Sequence, residues 1–349
     1  MVMFEKQTDS ENTLMRSISA DRGFNGDIMR IGVITPGGDA PGMNACIRAV
    51  VRKGIDSGIE IYGINRGYTG LLENDIIPLN KRSVSGIIHH GGTMLKSSRC
   101  IEIRTDGGIK SASGILNNHR IEYLVVIGGD GSFVAANKIS KRSGAGIIGI
   151  PATIDNDIYG TDETIGFDTA LDTAVEAIDK IRDTATSFER VFLIEVMGRE
   201  HGFLAIEIGL ASGAEFVLIP EVKHDVRKIS SELKKYNKSG KTSAIIVFAE
   251  GAGDVRETAE KLESYTGFPA RVSSLGYIQR GGTPSGRSRI LGTLFGTYAI
   301  DLIKRKKKNR VVVVSKCRTG DIPIETVISK EKKINLLSYR TIHQTAGIF

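Results

Sequence analysis

Short apolar runs alternate with longer amphipathic stretches along most of the chain, and that alternation predicts its elements. Residues 30–35 (RIGVIT), 59–64, 123–127 (YLVVI), 146–150 (GIIGI), 191–196, 216–219 and 244–248 read as strands. Helices are predicted over about 41–57, 133–141, 169–182 and 225–236, with another beginning near Gly202. The strand runs are β-branched and lack internal polar alternation. Both of their faces are therefore expected to be buried, as in parallel sheets covered by helices. The fold class is α/β, with right-handed crossovers. A chain of 349 residues has room for two doubly wound, mostly parallel sheets. No Pro- or Ser-rich linker parts them, so close packing and more than one chain crossing are expected.

Composition narrows the class. Charged residues at 25% and hydrophobic residues at 40% fit a globular protein, and no apolar run approaches the roughly 18–20 residues of a membrane-spanning helix. Residues 1–29 mix Glu5, Asp9, Glu11 and Asp21 with Lys6, Arg16 and Arg22, which suits an extension ahead of the fold better than a signal segment. Cys46, Cys100 and Cys317 are too scattered for a disulfide framework or a metal site, so a reducing cytoplasm is expected. The net charge of +7 is largely local. Six of the seven residues from Lys304 to Arg310 are Lys or Arg, with no interleaved aromatics. Such a run reads as a solvated helix end, and neither nucleic acid nor membrane is expected as a partner.

In open parallel sheets, ligands gather at the carboxyl ends of strands, so the segments that follow each strand carry the chemistry. The first strand runs into Thr35-Pro36-Gly37-Gly38-Asp39-Ala40-Pro41-Gly42, a Gly-rich turn before a helix and a plausible phosphate cradle. Neither GxGxxG nor GxxxxGK[ST] occurs there, which weakens dinucleotide-fold and P-loop readings. Gly128-Gly129-Asp130-Gly131-Ser132 follows YLVVI, and a carboxylate between glycines suits a polyphosphate with its magnesium ion. Thr153-Ile154-Asp155-Asn156-Asp157 sets two carboxylates on one side of an extended segment, where one can serve as general base toward a hydroxyl. Arg99, Arg104, Arg190, Arg199, Arg271 and Arg280 lie near predicted strand ends and offer forks for phosphate. No HExxH or GxSxG motif is present, so phosphoryl transfer to a hydroxyl remains.

TPGGDAPGMN, GGDGS, PATIDND, IEVMGR, EFVLIPEV and LGYIQRGG resemble, in order and spacing, the 6-phosphofructokinases. The resemblance runs from about Met29 to the end of the chain. It implies phosphorylation of fructose 6-phosphate at its 1-hydroxyl, the committed step of glycolysis, with Mg²⁺ and in a homotetramer. By the same resemblance Asp155 matches the general base, Asp157 a supporting carboxylate and Asp130 the residue that holds Mg²⁺. Thr153, Arg99 and Arg199 match groups around the transferring phosphoryl. Gly38, Tyr68, Arg99, Cys100, Arg104, Gly129, Gly131 and Ser132 match the ATP side. Ile154, Met197, Gly198, Arg199, Glu250, Tyr277 and Arg280 match the sugar-phosphate side, and Arg190 and Arg271 match arginines supplied by a neighbouring subunit. The implied division places a flexible extension at 1–28. The nucleotide-binding domain takes 29–165 with 278–328, and the sugar-phosphate-binding domain takes 166–277 with 329–349.

Some positions bear on the choice of donor and on regulation. Pyrophosphate-dependent relatives carry Asp where this chain has Gly131 and Lys where it has Ala152, so ATP is the expected donor. Tyr277 stands where bacterial relatives commonly carry a His, exchanging a titratable ring for a neutral phenol. Arg48, Arg52, Arg182, Glu215 and Lys241 fit the bacterial effector site. Lys81 there replaces an Arg, and Ser239 falls where a Lys is expected. The competing readings are a pyrophosphate-dependent form, a kinase of another sugar phosphate, a silent regulatory subunit, and a nucleic-acid-binding protein built around Lys304–Arg310. NAD kinases and diacylglycerol kinases share a GGDG-type turn but lack the PATIDND and QRGG segments.

Overall fold

The computed structural model describes residues 28–345, so the extension expected over residues 1–28 lies, but for Ile28, outside the described residues. Two sheets carry the fold. The larger has eight strands: β1 (Arg30–Ile34), β2 (Glu60–Ile64), β3 (Ile76–Leu79), β4 (Tyr123–Gly128), β5 (Gly146–Thr153), β6 (Ile165–Gly166), β11 (Arg310–Ser315) and β12 (Arg318–Pro323). Their order is β12-β11-β5-β4-β1-β2-β3, with β6 paired to β5. All pairings are parallel except β11 with β12 and β2 with β3, so antiparallel strands close both edges. The smaller sheet is wholly parallel, in the order β10 (Ala270–Ser274), β7 (Val191–Val196), β9 (Ala244–Ala249), β8 (Phe216–Leu218).

Alternation along each strand divides the core. Val33, Val125 and Ile148 of the large sheet join Ile194 and Val247 of the small one in a single buried cluster. Leu124, Val126 and Ile147 turn to a second cluster, and Leu193, Ile246 and Phe248 to a third. The shared cluster holds the two sheets against each other through apolar contact, the main source of stability between them.

The helices are α1 (Met43–Asp56), α2 (Gly67–Leu72), α3 (Asp106–Asn118), α4 (Asp130–Ser143), α5 (Phe167–Phe188), α6 (Phe203–Ser212), α7 (Val226–Lys238), α8 (Val255–Thr266), α9 (Gly286–Lys304), α10 (Ile324–Ile328) and α11 (Leu336–Thr345). No described helix is long and apolar enough to cross a membrane. Helix α9 lies close on α1: a Cβ at Gly292 would stand 2.8 Å from the Gly42 carbonyl oxygen, and one at Gly296 2.6 Å from that of Cys46. Glycine spacing of four therefore sets this helix pair.

Two boundaries differ from expectation in ways that matter. β5 continues three residues past the predicted end, through Pro151 and Ala152 to Thr153, because β6 pairs with Ala152 and Thr153. α4 begins at Asp130 instead of 133, so the GGDGS segment is at once turn and first helical turn. The basic run from Lys304 to Arg310 spans the end of α9 and the approach to β11. There Lys308 Nζ donates to the Gly144 carbonyl at 3.1 Å, beside the carboxyl end of α4. Lys304 in the last turn of α9 and Lys308 beside the end of α4 sit where helix dipoles present negative charge.

Candidate active site

The carboxyl end of β1 turns at Gly37, whose φ of 95° is ordinary only for glycine. Ser97 Oγ donates to the Gly37 carbonyl at 2.6 Å, and the Gly37 amide reaches Ser98 O at 3.3 Å. Ser132 Oγ donates to Pro36 O at 3.0 Å, and the buried Tyr68 hydroxyl donates to Ser132 O at 2.7 Å. Two loops and the start of α4 are thereby fixed together around Gly37 and Gly38. Tyr68 serves this frame, its hydroxyl already committed. Arg280 reaches across the turn, 3.6 Å from Asp39, and a Cβ on Gly38 would overlap its guanidinium.

Helix α4 starts at Gly129 with no side-chain cap. Thr105, Asp225, Asp254 and Ser285 cap their helices with side-chain oxygens, whereas α1, α5 and α6 lack a side-chain cap as α4 does. The first amides of α4 have no side-chain partner, and a negative group placed there would gain from the helix dipole. A Cβ at Gly131 would meet nothing within 4 Å, so the space above this turn is open.

Asp155 follows β5 and is only 4% exposed. Its amide donates to Thr153 Oγ1 at 3.2 Å, and its Oδ2 lies 3.2 Å from Arg199 Nε. Loss of hydration raises the Asp155 pKa, Arg199 pulls it back, and Asp157 and Glu250 raise it further, leaving it above the usual carboxylate range. Arg199 comes from the other sheet, on the turn after β7, and adopts φ 53°. The Glu250 carboxylate at the end of β9 holds this left-handed turn, accepting from Arg199 N at 2.6 Å and Gly198 N at 3.3 Å. Gln279 Oε1 accepts from Met197 N at 2.9 Å, and Gln279 is fully buried. A non-glycine residue held at positive φ by converging bonds marks a geometry the fold enforces. Asp130 is accessible on the cleft wall, yet surrounding protein thins its hydration. Together with Asp157 this pushes its pKa up to about 6, against the pull of His201.

A buried carboxylate facing an arginine from a second sheet, near an uncapped helix start, is an arrangement that can serve phosphoryl transfer. Residues 30–303 match the family described as phosphofructokinase. This chain belongs to the phosphofructokinase family. It is 50% identical over 309 residues to the ATP-dependent 6-phosphofructokinase of Clostridioides difficile (strain 630), covering 88% of this chain and 97% of that protein. The Bacillus subtilis (strain 168) protein of the same name is 48% identical over 311 residues, covering 89% and 97%. Among solved structures, Pichia pastoris phosphofructokinase in the T-state superposes with a TM-score of 0.81 at 33% identity over 88% of this chain, which spans about a third (36%) of that longer chain. A pyrophosphate-dependent phosphofructokinase from Marinobacter aquaeolei has TM-score 0.79 over 91% of both chains, but at 22% identity that likeness concerns the fold.

The other phosphofructokinase positions fall in several places. Ile154 is buried beside Asp155. Arg99 follows Ser98, whose Oγ reaches Arg66 O and Thr69 Oγ1 at 2.6 and 2.7 Å, so its loop is anchored while Arg99 makes no ion pair among the described residues. Cys100 packs on the second core cluster, and Arg104 ends a short 3-10 turn, Glu102–Arg104. Tyr277 projects 79% exposed from the turn Gly276–Gln279. Arg190 and Arg271 lie at the amino-terminal ends of β7 and β10, and a six-residue strand puts them about 20 Å from Arg199. Within one subunit they do not join the site.

Arg182, Glu215 and Lys241 form a cluster on the small-sheet side. Glu215 is buried, with Lys241 Nζ at 2.5 Å and Arg182 Nη1 at 3.7 Å. Arg48 and Arg52 stand on α1 and make no ion pair among the described residues, and Lys81 pairs with Asp56. Sequence reading gave no role to Gln279, Ser97, Ser98 or His201. Gln279 lay inside a motif already quoted, but the other three carry no spacing signal.

Proposed function

We propose that this chain transfers the γ-phosphoryl group of ATP to the 1-hydroxyl of fructose 6-phosphate, giving fructose 1,6-bisphosphate and ADP. The observation that carries this reading is the contact between Asp155 and Arg199 across two sheets. Asp155 accepts the hydroxyl proton as the sugar oxygen bonds to the γ-phosphorus, and the bond to the bridging oxygen of ADP breaks. Burial makes Asp155 a stronger base than an exposed carboxylate, and Arg199 keeps it ionised until substrate draws the guanidinium toward the phosphoryl group. Thr153 and Arg99 line the path of that group, Gly38, Gly129 and Gly131 admit the nucleotide phosphates, and Met197, Gly198, Glu250 and Arg280 frame the sugar phosphate.

Mg²⁺ fits Asp130. Asp130 faces the like charge of Asp157, opposed by His201, a repulsion that a bound cation would relieve. One carboxylate plus phosphate oxygens and water is the donor set Mg²⁺ takes, and the bound ion would neutralise phosphate charge. The division into a nucleotide-binding part, 29–165 with 278–328, and a sugar-phosphate part, 166–277 with 329–349, belongs to the same reading.

ATP as donor is supported by the open space at Gly131 and by relatives near 50% identity that are named for ATP. Purified protein assayed with fructose 6-phosphate is expected to turn over at least about 100-fold faster with ATP than with pyrophosphate. Gly131→Asp is expected to lower the ATP rate by a similar factor through crowding and like-charge repulsion, about 3 kcal/mol. Comparable rates with both donors in the parent protein refute the assignment.

The family resemblance implies a homotetramer, in which Arg190 and Arg271, remote from Arg199 within the chain, would reach the sugar phosphate of a neighbouring site. Arg190→Ser and Asp155→Asn subunits, each inactive alone, are expected to regain part of the parent activity when unfolded together and refolded as a mixture. No recovery in mixed oligomers shown to have formed rules out the shared site.

A further inference from the structure

Lys332 belongs to none of the motifs discussed above, yet it meets the catalytic segment directly. It lies between α10 and α11, on the stretch of chain that leaves the large sheet and returns to the small one. Its Nζ donates to Asn156 O at 2.7 Å and approaches Asp162 O at 3.3 Å. The same ammonium stands 5.1 Å from the ring centre of Phe203, the first residue of α6. Asp157, Asp162, Glu163 and Glu207 supply negative charge nearby, but Lys332 forms no ion pair with any of them among the described residues. It spends its strongest bond on a backbone carbonyl.

That carbonyl is the one between the two carboxylates. Asn156 holds φ 52°, a left-handed conformation, and its Nδ2 donates to Asp162 O at 3.1 Å. Fixing Asn156 O fixes the peptide plane between Asn156 and Asp157, and with it the backbone immediately after Asp155. A cation on the outside of the loop thus helps set the direction of the base on the inside. Burial pulls the Lys332 amine down to about 8, with the four acids opposing, so it remains charged below that pH.

We propose that Lys332 is a positioning residue for phosphoryl transfer, holding the Asn156 carbonyl so that Asp155 points at the acceptor hydroxyl while tying the carboxyl-terminal segment to both sheets. The proposal rests on the reading of Asp155 as general base. It touches neither substrate, so its removal should be felt in the chemical step and not in binding.

The test is steady-state kinetics of Lys332→Met and Lys332→Arg beside Asp155→Asn, with thermal unfolding of each. Lys332→Met is expected to lose about 10- to 100-fold in kcat, the scale of an ångström's misplacement, with both KM values within about threefold of the parent. Lys332→Arg, which keeps a donor and a charge, is expected to recover most of the loss. A folded Met variant with parental kcat, or a loss confined to KM, overturns the proposal. Should the Met variant not fold, Lys332→Gln and Lys332→Arg are read by the same split between kcat and KM. A near-parental kcat in Asp155→Asn would instead refute the base, whatever the Lys332 variants do.

Discussion

Asp155→Asn is expected to lower kcat about 10³-fold without unfolding the protein. The substitution preserves shape and removes the only feature of the side chain that accepts a proton, and a positioned base contributes about 10²- to 10⁴-fold. Stability should move the other way. The folded carboxyl has a raised pKa, so its ionised form is disfavoured by burial, and that penalty is present at neutral pH and fades as pH falls through the raised value. A neutral amide avoids it. The variant is therefore expected to melt no lower than the parent at pH 7.5, with any advantage shrinking toward pH 4. Kinetics and thermal unfolding over that range check both halves, and a variant that loses activity only by melting earlier would remove Asp155 from the chemistry.

Arg199→Ala has the second large effect, with two readable parts. The guanidinium lies 3.2 Å from Asp155 and lowers its pKa against the effects of burial, Asp157 and Glu250. Without it the Asp155 pKa rises further. The acidic limb of kcat/KM, set by deprotonation of the base, is then expected to shift to higher pH. At the pH optimum kcat should still fall about 10²- to 10⁴-fold, because the phosphoryl group in transfer loses its counter-charge. Arg199→Lys should restore the position of the limb more fully than the rate, since an ammonium supplies charge without the planar fork. A rate profile that keeps its limb in Arg199→Ala would show that the limb reports another group.

The elements most legible in the sequence were those buried on both faces. β4, β7 and β9 read clearly because Tyr123–Gly128, Val191–Val196 and Ala244–Ala249 are nearly continuous apolar runs. The edge strands β3, β10 and β12 went unread, and so did the interior β11, whose RVVVVS run starts at the last residue of the basic stretch at 304–310. IIPL carries a proline, while ARVSS and RTGDIP are half polar, as edges next to solvent tend to be. Helix α9 was hidden by Gly286, Gly292 and Gly296, which suggest turns in sequence, although the last two give α1 its close seat. At the site, motif residues that end strands were visible as motifs. Their pairing across the two sheets was not, since residues 155 and 199 are joined only by tertiary packing. Gln279 and Lys332 act through backbone groups of other segments, and a bond to someone else's backbone leaves no pattern of its own.

The order in which the chain visits the two sheets has a consequence for its synthesis. β5, at the middle of the large sheet, waits for β11 to cover its free side, with Arg310 opposite Ile148 and Val311 opposite Gly149. More than 150 residues, including the whole small sheet, separate the partners. On a ribosome the first half of the molecule must therefore remain an open sheet with a raw apolar edge until nearly the entire chain has emerged. Such long-range closure slows folding and exposes surfaces prone to association. A message cut short near codon 300 would release a product with all of the quoted motifs present and β5 uncovered, a species fit for aggregation or degradation.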